Sequence, residues 1–79
     1  MDVEVRLFAT FRDYLPRGSE SFSFRKSLER EMAVSRVAED INLPHDIPKI
    51  FIVNGNVVTG DYVLHDGDVV SIFPPVAGG

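Results

Sequence analysis

Apolar and charged residues alternate at the start of the chain. Val3, Val5 and Leu7 are each separated by one charged residue, and a period of two is typical of a strand with one buried face. The odd-numbered residues are therefore predicted to face the core. Phe8 has the other parity, so it is predicted to lie on the outward face.

A second alternating segment, Ser21-Phe22-Ser23-Phe24, predicts a strand that pairs with the first as a hairpin. Residues 9–18 join the two strands and have the mixed polarity, proline and glycine of a loop. We expect the apolar side chains of this loop to fold back as a local plug; they are Phe11, Tyr14 and Leu15.

Helical spacing replaces alternation in the middle of the chain. Apolar residues recur at positions 34, 37, 38 and 41, and Pro44 would stop a helix. We predict a helix from Ala33 to Ile41, with a start as early as Leu28 left open. Its apolar stripe is expected to pack against a sheet.

Three further strands are predicted, and they are Lys49–Val53, a return starting at Val57-Val58, and Val69–Phe73. Asn54-Gly55 or Gly55-Asn56 supplies the residues of a tight hairpin turn between the first two. The order is two strands, one helix, a hairpin and a last strand. That order fits a small α+β domain in which a sheet curls over one helix.

The last seven residues read Phe-Pro-Pro-Val-Ala-Gly-Gly. Proline has a fixed φ and no N–H, so Pro74 and Pro75 are expected to end the strand and to direct an extended tail outward. The tail consists of Val76, Ala77, Gly78 and Gly79, which can reach about 13–14 Å from the body. Glycine lacks a Cβ, so an enzyme could close on the backbone of the last two residues from every side. We therefore divide the chain into a domain, 1–75, and a flexible tail, 76–79.

Composition narrows the function. The chain has 79 residues and no cysteine, so a sulfur atom could be carried only on the terminal carboxylate. The net charge is −4, and residues 37–79 contain Lys49 as their one basic side chain against six acids. That half would repel phosphate backbones, so we expect no nucleic acid as partner and favour a basic patch on a protein. With an acidic N-terminus and no apolar run near ~20 residues, we expect a soluble, cytoplasmic protein without a membrane contact.

Catalytic and metal signals are weak. His45 and His65 are twenty positions apart and have no thiol nearby, so we predict no metal site. Asp66-Gly67-Asp68 lacks the spacing of a calcium loop and is better explained as a turn. No P-loop, dinucleotide fingerprint or nucleophile with a base is present, so we expect no catalysis by the chain alone.

The segment from Phe73 to Gly79, with the order of elements before it, resembles the MoaD and ThiS family of ubiquitin-like sulfur carriers. The double proline is closest to the MoaD branch, the small subunits of molybdopterin synthase. The resemblance implies a ubiquitin-like β-grasp fold, with the first and last strands adjacent in a mixed sheet. Phe8 and Phe73 would then meet on the open face, and by resemblance Phe8, Val57 and Phe73 form the partner interface. The charged segment 26–33 is longer than the family's usual link, which leaves the helix start open.

The same resemblance implies a chemistry for Gly79. An adenylating enzyme of the ubiquitin-activating type would use ATP and Mg to join AMP to its carboxylate, and a sulfur donor protein would then leave a thiocarboxylate. The body would dock on the large catalytic subunit of molybdopterin synthase while the tail gives sulfur to cyclic pyranopterin monophosphate. No cofactor is expected on the chain itself. The alternatives are a ThiS-like donor for thiazole synthesis, a ubiquitin-like modifier conjugated through Gly79, and an interaction domain with an inert tail.

Overall fold

The computed structural model describes residues 1–75. Its elements, in chain order, are β1 (Asp2–Leu7), a 3₁₀ helix (Ala9–Tyr14), β2 (Ser23–Ser27), α1 (Val34–Asp40), β3 (Ile50–Val53), β4 (Asn56–Val58) and β5 (Val69–Phe73). The predicted order of two strands, one helix, a hairpin and a last strand is confirmed. The predicted tail, residues 76–79, lies outside the described residues.

The five strands form one sheet in the order β2-β1-β5-β3-β4. β1 and β5 are parallel, and the other three pairs are antiparallel. The first and last strands are therefore central neighbours in a mixed sheet, as the resemblance implied. This is the α+β arrangement of a β-grasp fold.

The core lies between the sheet and α1. The odd-numbered residues of β1 are at most 1% exposed, so the predicted parity of this strand is confirmed, and Val70 and Ile72 of β5 are fully buried on the same side of the sheet. α1 adds one buried stripe at i, i+3 and i+4, formed by Val34, Val37 and Ala38. Each buried Val or Leu side chain contributes about 1.5–3 kcal/mol relative to exposure. The fold is therefore held mainly by these small apolar contacts.

α1 begins at Val34, directly after the first predicted helical residue, and Ile41 caps its end. A start at Leu28 would be wrong. The backbone N–H of Leu28 donates to the carbonyl of Met1 at 2.7 Å, which continues the pairing of the N-terminal strand instead of opening a helix. With only 7 residues, α1 cannot cross a bilayer, and the part of the chain that the structure describes contains no helix that could.

β2 was predicted too early in the chain. Ser21 has a left-handed φ of 55°, and the N–H of Ser23 donates to the carbonyl of Glu20 at 2.9 Å. Residues 20–23 therefore form a turn, and the strand extends from Ser23 to Ser27. The hairpin of β1 with β2 is confirmed, with Val5 opposite Phe24.

The connection after β1 is a 3₁₀ helix where the sequence predicted a loop. Phe11 is 1% exposed and Leu15 packs against the core, so the predicted plug is correct for these two side chains. Tyr14 is 37% exposed, and its inclusion in the plug was wrong. In the later hairpin, Asn54 and Gly55 both have positive φ, 50° and 87°, which identifies them as the turn residues.

Candidate functional site

β5 carries the chain from the core to the predicted tail. Its outward residue Phe73 is the last residue of the strand, and Pro74 is half-buried while Pro75 is exposed. Neither proline has an N–H to donate, so the strand ends where the sequence predicted. The predicted reacting residue Gly79 and its neighbours Val76, Ala77 and Gly78 lie outside the described residues.

Phe8 and Phe73 stack on the open face of the sheet. β1 and β5 pair in a register that places Leu7 opposite Ile72, so the next residue along each strand lies side by side. The two rings are 4.2 Å apart between centroids with an interplanar angle of 7°, and the N–H of Phe8 donates to the carbonyl of Ile72 at 3.3 Å. The predicted contact is confirmed.

Phe22 extends this stack and was missed from the sequence. Its ring centroid lies 5.3 Å from that of Phe8, with a tilt of 40°. Parity assigned Phe22 to the same face as Phe24, which packs against the core. The turn at residues 20–23 breaks that parity and places Phe22 on the opposite face. The left-handed Ser21 causes the change, and serine gives no sequence signal for it.

The apolar surface formed by these aromatic residues continues from β5 onto β3. Ile50 is paired with Phe73 and is 40% exposed, because Phe51 and Val53 occupy the core face of this strand. The β-branched run at residues 50–53 does not alternate, so its parity could not be read from the sequence. Ile50 therefore joins the aromatic residues at the end of the sheet from which the tail leaves.

Val57 lies farther from the stack than the sequence suggested. It is on β4, two strands from Phe73, and is the cross-strand partner of Ile52. At 74% exposure it is the most exposed large apolar side chain among the described residues. We call the whole set the open-face patch, and its members are Phe8, Phe22, Ile50, Ile52, Val57 and Phe73.

Charged groups occupy the other end of the same face. Arg6 Nε and Glu4 Oε2 are 2.5 Å apart, with 41% and 35% of the side chains exposed. Such an exposed pair contributes only about 0–1 kcal/mol to stability. Its position matters more, because the open face is apolar beside Pro74 and polar at the opposite end. A contiguous exposed apolar patch bordered by charged residues is typical of a protein interface.

The candidate acid Asp68 has a structural role in a turn. Asp68 is 8% exposed and accepts hydrogen bonds from His65 N at 2.8 Å and from Asn54 Nδ2 at 2.9 Å. The interpretation of the Asp66-Gly67-Asp68 segment as a turn is thus supported, with Gly67 at φ 86°. Within residues 1–75 no group of three or more His, Asp or Glu side chains could hold a metal ion.

Comparison with known proteins places the chain in a family. The model of the ThiS family matches residues 5–79. Small archaeal modifier protein 3 of Haloferax volcanii is 34% identical and aligns over the full length of both chains. These two matches cover nearly the whole sequence, including the predicted tail.

Solved structures agree with that assignment. A putative molybdopterin converting factor subunit 1 from Pyrococcus furiosus has a TM-score of 0.72 and 29% identity, and the match covers 95% of this chain and 98% of the other. SAMP1 of Haloferax volcanii also has a TM-score of 0.72, with 18% identity and full coverage of both chains, which shows a shared fold. With its mixed β-grasp sheet and a family model that matches it almost end to end, this chain belongs to the ThiS family of ubiquitin-like sulfur carriers and modifiers.

Proposed function

We propose that this protein carries sulfur as a thiocarboxylate on Gly79 and delivers it as the small subunit of molybdopterin synthase. The observation that carries the proposal is the Phe8–Phe73 stack, which puts an apolar docking surface immediately before Pro74 and the tail. A partner that binds the open-face patch receives the tail in a fixed direction. The body then stays outside the partner's active site while the tail enters it.

The chemistry requires activation by a partner. A carboxylate resists nucleophilic attack because its charge is delocalised over two oxygens, so an adenylating enzyme first joins AMP to Gly79 at the expense of ATP with Mg. A sulfur donor protein then supplies the sulfur that replaces AMP. With no cysteine in the chain, the tail's carboxyl group is the one place where this protein can hold transferable sulfur.

Each remaining tail residue has a positional role in this proposal. Gly78 leaves room for the partner's catalytic groups around the reacting carbonyl, and Val76 and Ala77 span the partner's channel. Pro74 and Pro75 limit the directions in which the tail can leave the sheet. The receiving substrate is cyclic pyranopterin monophosphate, bound by the large catalytic subunit.

Docking draws its free energy from the open-face patch. Aromatic side chains contribute disproportionately to protein interfaces because each buries a large rigid area. Phe8 already contacts both Phe22 and Phe73 in the isolated chain, so little side-chain entropy remains to be lost on binding. The Pyrococcus furiosus relative, described as subunit 1 of a converting factor, supports a larger subunit as the partner.

A second candidate function is protein modification through Gly79. The 34% identity to small archaeal modifier protein 3 favours it. Both functions begin with the same adenylate and differ in the nucleophile that follows, which is sulfur for a carrier and a lysine amine for a modifier. The same adenylated tail can therefore be used for sulfur transfer or for protein modification.

The test is purification from the native cell and treatment with a thiol-alkylating reagent. Because the chain contains no cysteine, a thiocarboxylate is the one thiol-like group available for alkylation, and oxidation of Met1 or Met32 cannot imitate the product. We expect one alkyl group on Gly79, and co-purification of the large synthase subunit. Conjugates of higher mass would identify the modifier function instead.

A variant that lacks Gly79 is the matched control. It should fold with an unchanged melting temperature and remain unalkylated, because the core and the sheet are formed by residues before Pro74. An unmodified carboxylate on the wild-type protein, with no conjugates of higher mass, under conditions where the pathway is active would contradict both functions. A partner from thiazole synthesis in place of the synthase would contradict the molybdopterin assignment alone.

A further inference from the structure

The described residues contain three primary amines, which are Lys26, Lys49 and the α-amino group of Met1. An adenylate reacts with any free amine nearby, because nitrogen attacks the activated carbonyl and AMP is a good leaving group. The surroundings of these amines therefore decide which of them an activated copy of this protein can acylate. The three amines differ in their hydrogen-bond partners.

Lys49 is the lysine nearest to Pro74, and its amine is hydrogen-bonded to backbone carbonyls. Ile50 is opposite Phe73 in the β3–β5 ladder, which places Lys49 beside Pro74. Its Nζ donates to the carbonyl of Pro44 at 2.5 Å and to that of Ile47 at 2.8 Å. Since an ammonium group must lose a proton and its partners before it attacks, these bonds protect Lys49 from the protein's own activated tail.

The α-amino group of Met1 is also held. It donates to the carbonyl of Leu28 at 3.0 Å in a partly buried position, and the N–H of Leu28 donates back to Met1. This reciprocal pair fixes the start of β1 against the segment after β2. The amine would have to give up its bond to Leu28 before it could attack an activated carbonyl.

Lys26 lies in a different environment. It is on β2, at the edge of the sheet, opposite Val3, and its amine makes no hydrogen bond or ion pair with any residue in 1–75. No buried side-chain nitrogen or oxygen of those residues is without a partner, so the unpaired Nζ must be in contact with solvent. Lys26 as a whole residue is half-buried, as is usual for a lysine whose aliphatic part covers apolar surface while its amine stays in water.

Lys26 is also far from the tail of its own molecule. In the sheet, Lys26 lies opposite Val3, and Phe73 lies beside Phe8. Lys26 and Phe73 are therefore separated by five residues along the strand and two strand spacings across, a distance of roughly 19 Å. β5 runs away from Lys26, so the chain beyond Phe73 would have to reverse its direction to bring Gly79 to that amine. A second molecule can approach the open sheet edge without this restriction.

We propose that Lys26 is the acceptor amine for a second copy of this chain, a property that rests on the second candidate function. The neutral amine of Lys26 attacks the carbonyl carbon of Gly79 in the adenylated copy. A C–N bond forms, the C–O bond to AMP breaks with its electron pair leaving on AMP, and the amine loses its proton to solvent. The product is a dimer with one isopeptide bond.

Amine accessibility can be measured without any activating enzyme. The folded protein is treated with a limiting amount of an acetylating reagent, and acetylation at each lysine is followed by peptide mapping. We expect Lys49 to react at least about tenfold more slowly than Lys26, because its ammonium must first give up two hydrogen bonds. Unfolding in guanidinium should bring the two rates together, and equal rates in the folded protein would overturn the proposal.

The linkage is tested with a chain whose Gly79 carries a chemically made thioester, which removes the need for adenylation. We expect a covalent dimer joined at Lys26, lost in Lys26→Arg and kept in Lys49→Arg, since both variants retain their charge. A dimer joined at Lys49 or Met1, a cyclised monomer, or no dimer at all would overturn the assignment. Failure of the native protein to be adenylated, with the thioester still forming the Lys26 dimer, would contradict only the proposed function.

Discussion

Asp68 shows at the scale of one residue how this small domain fixes its turns. Its carboxylate accepts hydrogen bonds from His65 N and Asn54 Nδ2, and Asn54 Oδ1 in turn accepts from Val69 N at 2.9 Å. The Asp68 carbonyl also accepts from Glu4 N at 2.9 Å. One buried acid thus connects the β3–β4 turn to the beginnings of β1 and β5.

Replacing Asp68 should destabilise the fold without touching the open-face patch. Asp68→Ala leaves the His65 N–H and the Asn54 amide without their partner, so we expect a loss of about 1–3 kcal/mol in the free energy of unfolding. The measurement is urea denaturation followed by circular dichroism. Asp46→Ala, an exposed acid in a loop, is the control and should change stability by less than about 0.5 kcal/mol.

The Phe8–Phe73 stack should contribute little to stability despite its close geometry. Both rings are half-buried on the open face and neither belongs to the core. A double-mutant cycle with Phe8→Ala, Phe73→Ala and the double variant should give a coupling free energy of about 0.5–1.5 kcal/mol. Denaturant midpoints provide the free energies of unfolding of the four proteins. A coupling free energy as large as that of two residues in contact in the core would contradict the assignment of these rings to an interface.

At the scale of elements, α1 is short and its charges are poorly placed. Glu39 and Asp40 occupy the last turn, which contains no basic residue, and the N-cap Ala33 makes no side-chain hydrogen bond. Negative charge at a helix C-terminus opposes the helix dipole. The salt bridge from Arg36 to Asp40, 3.6 Å long and largely exposed, offsets only part of this cost.

Glu39→Lys should therefore stabilise the protein. We expect a gain of about 0.3–1 kcal/mol at low ionic strength from the reversed interaction with the dipole. The gain should shrink strongly near 1 M salt, where the Debye length is about 3 Å. Thermal melts at the two ionic strengths check this, and a salt-independent gain would indicate helix propensity or packing as the cause. Glu39→Gln should give about half the effect.

The elements that the sequence predicted well are those with a clear period. For the alternation in β1 and for the i, i+3, i+4 stripe of α1, only one orientation of the element buries its apolar side chains. The sequence failed where a single backbone conformation decides the outcome, as at Ser21, whose left-handed φ shifts β2 and turns Phe22 outward. It also failed in β3, where an unbroken apolar run conceals which of Ile50 and Phe51 is exposed.

In the candidate site, too, the sequence predicted which face a residue lies on but not which residues are its neighbours. Phe8 and Phe73 have opposite parity to their buried neighbours, so their faces could be read directly, while their adjacency came from the family resemblance. Val57 was assigned to the same surface, but only the sheet order shows that Ile52 lies between it and the stack. Cross-strand neighbours depend on the register, and the register is absent from local patterns.

At the scale of the whole molecule, two features can act on a partner. The second half of the chain, residues 37–79, holds six acids and Lys49, and the open-face patch is uncharged and lies beside Pro74. Long-range charge affects how fast partners meet, whereas buried aromatic contacts affect how long they stay together. The two properties should therefore appear in different rate constants.

We expect added salt to slow association with an activating or receiving partner that has a basic surface, and to leave dissociation almost unchanged. Phe73→Ala should do the reverse, raising the dissociation rate by about tenfold or more for a loss of at least about 1.4 kcal/mol. Surface plasmon resonance with the purified partner separates the two rates. Val63→Ala, which removes an equally apolar side chain that is 45% exposed outside the patch, should alter neither. If Phe73→Ala changed only the association rate, the aromatic stack would not lie at the centre of the bound interface, and the tail would have to be guided by another surface.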